Sequence, residues 1–152
     1  MSRRLACLVA ASVLLTSCSR DSPSPEPESA MSETAPERNA APLPLEVSVK
    51  ETASLMQAPE DERPLLIDCR EPSEYETVRI DGATLVPLGE LSNRMDELGD
   101  ARDRRIIVHC HHGGRSLKAA QLLRAGGFPQ AQSMAGGIDE WATDIEPGMA
   151  RY

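Results

Sequence analysis

The chain has 152 residues, of which 40% are hydrophobic, 26% charged and 3% aromatic, with a formal net charge of -8; this is apolar mass for one core plus appendages. Four aromatic residues, Tyr75, Phe128, Trp141 and Tyr152, are too few for a base-stacking platform, and the negative charge repels a phosphate backbone, which excludes nucleic-acid binding. No uninterrupted apolar run of about 20 residues and no internal period occurs, which excludes a polytopic membrane protein and a repeat array.

The first segment reads as a secretory signal peptide over residues 1–17: a basic start at Ser2-Arg3-Arg4, an apolar stretch from Leu5 to Leu15, then Thr16-Ser17-Cys18. The apolar stretch is well short of a membrane-crossing helix. The small residues before Cys18 resemble a bacterial lipobox, and that resemblance implies that Cys18 is lipidated, becomes the first mature residue and serves as an anchor without catalytic work. The expected location is the bacterial cell envelope, on its extracytoplasmic face, with the membrane touched only through the lipid. Ser19 at the next position carries no aspartate retention signal, so which membrane holds the chain stays open. Loss of residues 1–17 leaves 14 basic against 24 acidic residues, a formal charge of -10. With Cys7 removed and Cys18 acylated, the thiols left are Cys69 and Cys110, and in an exported protein such a pair raises the question of a disulfide.

Residues 18–44 hold prolines at 23, 25, 27, 36, 42 and 44 and almost no large apolar side chain, so burial cannot offset the entropy of ordering them. They are expected to form a semi-extended tether reaching up to about 80 Å, at about 3.1 Å per residue.

From Leu45 to Tyr152 the pattern is that of a folded domain. Leu45-Glu46-Val47-Ser48-Val49 alternates as a strand wet on one face, while Leu65-Leu66-Ile67, Leu85-Val86 and Ile106-Ile107-Val108 are continuous apolar runs, as in strands covered on both faces. Helical segments are predicted at Thr52–Gln57, Ser92–Leu98 and Ser116–Ala125. The last shows an apolar stripe of Leu117, Ala120, Leu122 and Leu123, with Gly126 as a left-handed stop. Strands recurring about every 20 residues with helices between them predict a three-layer α/β domain on a mainly parallel sheet.

In such sheets ligands bind beyond the carboxyl ends of the strands. The segment between strand and helix is His109-Cys110-His111-His112-Gly113-Gly114-Arg115-Ser116. Two glycines let successive amides turn inward, and the helix start aims its positive end at the same place, so the loop is a cradle for an anion. A cysteine at its mouth has its thiolate stabilised, which makes Cys110 a candidate nucleophile. Three other readings stay open for these residues: an inert buried thiol, a metal site built from cysteine and histidines, and an anion site without turnover.

Asp68-Cys69-Arg70-Glu71-Pro72-Ser73-Glu74-Tyr75, then Arg79-Ile80-Asp81-Gly82-Ala83, then the cysteine loop, then Ala135-Gly136-Gly137-Ile138-Asp139-Glu140-Trp141 resemble the successive signatures of the single-domain rhodanese family. The resemblance implies a five-stranded, mainly parallel sheet with helices on both faces and a sulfurtransferase. In this reading Cys110 takes a sulfane sulfur from a small anionic donor such as thiosulfate, or from a protein persulfide. As a persulfide it hands the sulfur to cyanide, a thiol or a protein acceptor. It implies no metal and no organic cofactor. A sulfur-carrying or protein-binding module without catalysis is the alternative. A tyrosine phosphatase loop has five residues between cysteine and arginine, whereas Cys110 and Arg115 are separated by four, so the cradle is one residue short for a phosphoryl group.

Under the same resemblance Arg115 orients the anionic donor against a domain with 19 acids and 12 bases, or else forms a structural salt bridge. His111, His112, Gly113, Gly114 and Ser116 line the substrate site through the loop backbone, Asp68 and Arg70 support the loop from behind, His109 is a core histidine, and Trp141 packs the last helix on the sheet. Many relatives carry an apolar residue where this chain has Cys69. In the implied fold the strand ending at Asp68 lies beside the one ending at His109, at a spacing of about 4.8 Å. That is within disulfide reach of Cys110. Cys69 is therefore read as a resolving thiol, or as a small buried hydrophobe in a valine-like slot.

Overall fold

The two longest apolar runs become the middle of a parallel sheet. A computed structural model describes residues 43–152; the signal peptide, Cys18 and residues 18–42 of the tether lie outside the described residues. Five strands, β1 (Glu46–Val47), β2 (Leu65–Asp68), β3 (Thr84–Leu85), β4 (Ile106–His109) and β5 (Ala131–Met134), line up in the order β1-β5-β4-β2-β3 with every pairing parallel. Parallel strands need crossovers, and helices α1 (Val49–Leu55), α2 (Pro72–Thr77), α3 (Gly114–Ala125) and α4 (Gly137–Asp144) lie between or after them.

Alternation along the strands divides the core in two. Ile67, Ile106, Val108 and Ala131 point to the face covered by Ala119 and Leu123 of α3, with Phe128, Leu91 and Leu98 around them. Leu66, Ile107 and Met134 point to the opposite face, which is closed by Val49 of α1, by Ile138 and Trp141 of α4, and by Ile80. Helices on both faces explain why β2 and β4 read as unbroken apolar runs, and why the edge strand β1, with Glu46 exposed and Val47 buried, reads as alternating.

Several elements differ from the sequence reading. The first helix starts at Val49, three residues before the predicted Thr52, because Ser48 caps it by accepting the Glu51 amide proton at 3.2 Å. The predicted helix at Ser92–Leu98 is two short 3-10 turns, Leu91–Asn93 and Met95–Ala101, which bury only Leu91, Leu98 and Ala101. Strand β5 was not read from the sequence: Ala131-Gln132-Ser133-Met134 is wholly buried yet half polar, so no apolar run marks it. On α3 the buried stripe is Ser116, Ala119, Ala120 and Leu123, and Leu122 is exposed. The left-handed residue after α3 is Gly127 (φ +93°) and not Gly126, whose φ is -82°. Leu43 and Pro44, on the tether side of the boundary read from composition, are tied to the domain: their carbonyls accept hydrogen bonds from Arg124 at 2.7 Å and Gln132 at 2.8 Å.

Phe128 enters the core directly after Gly127 and is fully buried between α3 and β4. Phe128→Ala is expected to cost about 3–5 kcal/mol, because few atoms can collapse into the cavity left behind; urea denaturation of the two proteins measures it.

Candidate active site

Strands β2 and β4 pair in register from Leu65 with Ile106 to Asp68 with His109. They therefore end at one level, and one further ladder bond continues past them, from the Cys69 amide to the His109 carbonyl at 3.0 Å. The period of two puts Ile67 and Cys69 on the same face as Val108 and Cys110, and all four belong to one apolar cluster. Both cysteines are free thiols and both are buried, Cys69 at 0% and Cys110 at 2% exposure.

The loop after Cys110 curls back over its sulfur. Gly113, at φ +102°, sends its N–H to Cys110 Sγ at 3.1 Å and caps the first turn of α3. The Ser116 hydroxyl lies 3.6 Å from the same sulfur, and 2.8 Å behind it is the buried hydroxyl of Ser133 on β5. These contacts push the Cys110 pKa down to about 4. The hydrogen bond from the Cys69 thiol contributes most, against the cost of burial, followed by the Ser116 hydroxyl and the Ser116 and Gly113 amides. Cys69 is driven in the other direction, because ionising it would remove the hydrogen bond it gives and bring a second charge into a buried site. Ionisation is thus favoured at Cys110 and disfavoured at Cys69.

The outer wall of the cradle is fixed by the start of α4. The Ile138 amide donates to the Cys110 carbonyl at 2.8 Å and the Asp139 amide to the His111 carbonyl at 3.1 Å. Two backbones approach so closely here that a Cβ on Gly137, which sits at φ +61°, would overlap both carbonyls. Gly136 and Gly137 therefore belong to the site, although from sequence that motif contributes only to the family resemblance and to the packing role of Trp141. Trp141 itself is 4% exposed and packs against the sheet.

Arg115 does not stand free. Its guanidinium is bidentate on Glu74 of α2, at 2.5 and 2.7 Å, which holds the Glu74 carboxyl down to about 2. Of the two roles read from sequence, the salt bridge is the one drawn by the structure. Glu74 is held in turn by the capping box at the start of α2, where it accepts the Glu71 amide at 3.0 Å, and by the Tyr152 hydroxyl at 2.9 Å. Tyr152 accepts from Arg70 Nη1 at 2.6 Å, and Arg70, fully buried, is locked on Asp68 through Nε at 2.9 Å and Nη2 at 2.5 Å. Asp68 and Arg70 thus connect to the loop through Tyr152 and Glu74, neither of which was singled out from sequence. A capping-box carboxylate within the motif was the available signal for Glu74; Tyr152 gave none.

His111 and His112 stack on each other at 3.9 Å, and His111 also stacks on Tyr152 at 4.4 Å, so the rings form the rim of the loop. Gly114 is the first residue of α3 and is exposed. His109 is buried with neither ring nitrogen hydrogen-bonded, and burial lowers its pKa, so it is a neutral core residue as the sequence suggested.

An acid whose pKa is lowered to about 4 is ionised above that pH and protonated below it. Alkylation of Cys110 by iodoacetamide is therefore expected to be nearly constant from about pH 5.5 to 8 and to fall only toward pH 4, whereas an ordinary thiol, with pKa about 8.5, gains close to tenfold per unit across that range. Gly137→Ala is expected to cost about 1–3 kcal/mol through backbone strain and to move that midpoint upward as the loop shifts away from the sulfur; thermal melts and the same alkylation profile check both.

The chain matches the Rhodanese-like domain family over residues 49–144. It is 36% identical over 87 residues to the "Probable adenylyltransferase/sulfurtransferase MoeZ" of Mycobacterium tuberculosis, covering 57% of this chain and 22% of that one. It is 28% identical over 128 residues to the "Adenylyltransferase and sulfurtransferase MOCS3" of Arabidopsis thaliana, covering 75% and 27%. The chain thus spans about a quarter of the length of these curated relatives. Among solved structures, the human single-domain sulfurtransferase TSTD1 superposes with a TM-score of 0.58 at 27% identity, covering 66% of this chain and 97% of that one. Family match and structural likeness agree: the chain belongs to the rhodanese-like domain family, and these three relatives carry sulfurtransferase in their names.

Proposed function

We propose that the protein is a sulfurtransferase that carries a sulfane sulfur as a persulfide on Cys110. The observation that carries this reading is the buried Cys110 sulfur facing the Gly113 N–H at 3.1 Å, in a loop of two glycines with four residues between it and Arg115, where its surroundings lower its pKa. Such a sulfur is a nucleophile across the neutral range, and the cradle that stabilises it also stabilises the terminal sulfur of a persulfide. With thiosulfate as donor, Cys110 thiolate attacks the outer sulfur, the S–S bond breaks, and sulfite leaves with the electron pair. The Cys110 persulfide anion then gives that sulfur to cyanide or to an acceptor thiolate, and the Cys110 thiolate returns. The amides of the loop orient the donor. Glu74 already balances Arg115, which favours a donor delivered as a protein persulfide over a free doubly charged anion.

Within this proposal the signal peptide and Cys18 place the transfer on the extracytoplasmic face of a bacterial envelope, at the end of the tether.

Incubation of the chain with thiosulfate and prompt intact-mass measurement are expected to show a gain of about 32 Da, one sulfur, that cyanide removes. Cys110→Ser is expected to abolish both the gain and turnover while the thermal melt is retained; a gain of the same size in that variant overturns the reading.

A further inference from the structure

Sulfur transfer as described uses Cys69 only as a hydrogen-bond donor, yet its surroundings offer it a second role. It is fully buried, so exogenous reagents are held away from it. The parallel register that pairs Asp68 with His109 sets residues 69 and 110 side by side, one step past the strands, with both side chains on the same face. The adjacent-strand spacing of about 4.8 Å lies within the span that a disulfide tolerates, about 4.4–6.8 Å between Cα atoms. Each thiol is the largest single influence on the ionisation of the other.

We propose that Cys69 is a resolving thiol: when no acceptor reaches the loop, it attacks Sγ of the Cys110 persulfide, closes a Cys69–Cys110 disulfide and expels the carried sulfur as hydrosulfide. This step rests on the persulfide reading above. The bond between Cys110 Sγ and the terminal sulfur breaks, and its electron pair leaves with that sulfur. The bond between the two Sγ atoms forms, and the Cys69 proton passes to the leaving sulfur. A thiol and a persulfide anion thus become a disulfide and HS⁻, with charge and atoms conserved. The persulfide supplies the oxidising equivalent, so no external oxidant enters, and an external dithiol reopens the pair by ordinary exchange.

Proton placement suits this order of events. While Cys110 is a thiolate, Cys69 holds its proton and is inert. Once Cys110 Sγ carries a second sulfur it is no longer the anion that fixed that proton, and the developing hydrosulfide becomes the place for it to go. An aliphatic side chain at position 69 would fill the slot and leave Cys110 without this partner.

The full chain, Cys69→Ser and Cys69→Ala are loaded with thiosulfate, desalted without acceptor, and followed by intact mass, free sulfide and non-reducing tryptic mapping. The wild-type chain is expected to lose its gain of about 32 Da while sulfide is released, about one per chain, and the peptides 51–70 and 106–115 become linked. Both variants are expected to keep the adduct at least about tenfold longer. An adduct equally durable in all three proteins, with no linked peptides, overturns the resolving role and leaves the persulfide standing. Absence of any adduct in folded variants and wild type, with thiosulfate and with a thiol persulfide as donor alike, overturns the persulfide reading together with the step built on it. Should both variants unfold, the wild-type chain decides alone: linked peptides with sulfide support the role, and a lasting persulfide overturns it.

Discussion

The in-register pairing of β2 with β4 is the constraint from which the site follows. Because Asp68 stands opposite His109, both strands give way to their loops at the same height. The next residue of each is then a cysteine, and the period of two sends both sulfurs to the α3 side of the sheet. A slip of one residue would set Cys69 against a residue of the opposite face and remove the thiol that contributes most to holding Cys110 ionised. Burial alone would drive Cys110 toward its neutral form; a neighbouring thiol, a hydroxyl and two amides outweigh it without any cation touching the sulfur.

The second constraint is the closeness of two backbones. The first amides of α4 reach the carbonyls of Cys110 and His111 only because Gly137 lacks a side chain. With its carbonyls held from outside, the loop has its Gly113 amide left to face the sulfur. The Gly113 amide's share in the acid-base behaviour and the shape of the loop therefore have one origin: the carbonyls are occupied by α4, and what points inward is the N–H side of the peptide.

The sequence made much of this legible for physical reasons that can be named. Strands β2 and β4 carry unbroken apolar runs because they are covered on both faces, and the cysteine loop shows itself through an unusual concentration of glycine, histidine and arginine. Strand β5 was hidden because Gln132 and Ser133 serve polar purposes inside the core: Gln132 binds the Pro44 carbonyl and Ser133 supports Ser116. Segments 91–93 and 95–101 carry helical spacing but close as 3-10 turns, a distinction too small for periodicity to register. Neither could the partner of Arg115 be read from spacing. Glu74 lies 41 positions away, and only folding shows that α2 delivers it to the loop.

The chain of contacts from Asp68 through Arg70, Tyr152 and Glu74 to Arg115 has an electrostatic consequence. Its two carboxylates and two guanidinium groups cancel in pairs at a distance, while close to the sulfurs both the Arg115 charge and the loop's peptide dipoles act. At longer range an approaching anion meets the surplus of the domain, 19 acids against 12 bases from Leu45 to Tyr152. Long-range approach of an anion is therefore opposed by a field that dissolved ions screen, while the charges and dipoles beside the buried sulfurs are screened much less. Raising the ionic strength is thus expected to weaken the long-range repulsion of anions more than the local field at Cys110, so the domain discriminates by charge more sharply in dilute media than in concentrated ones.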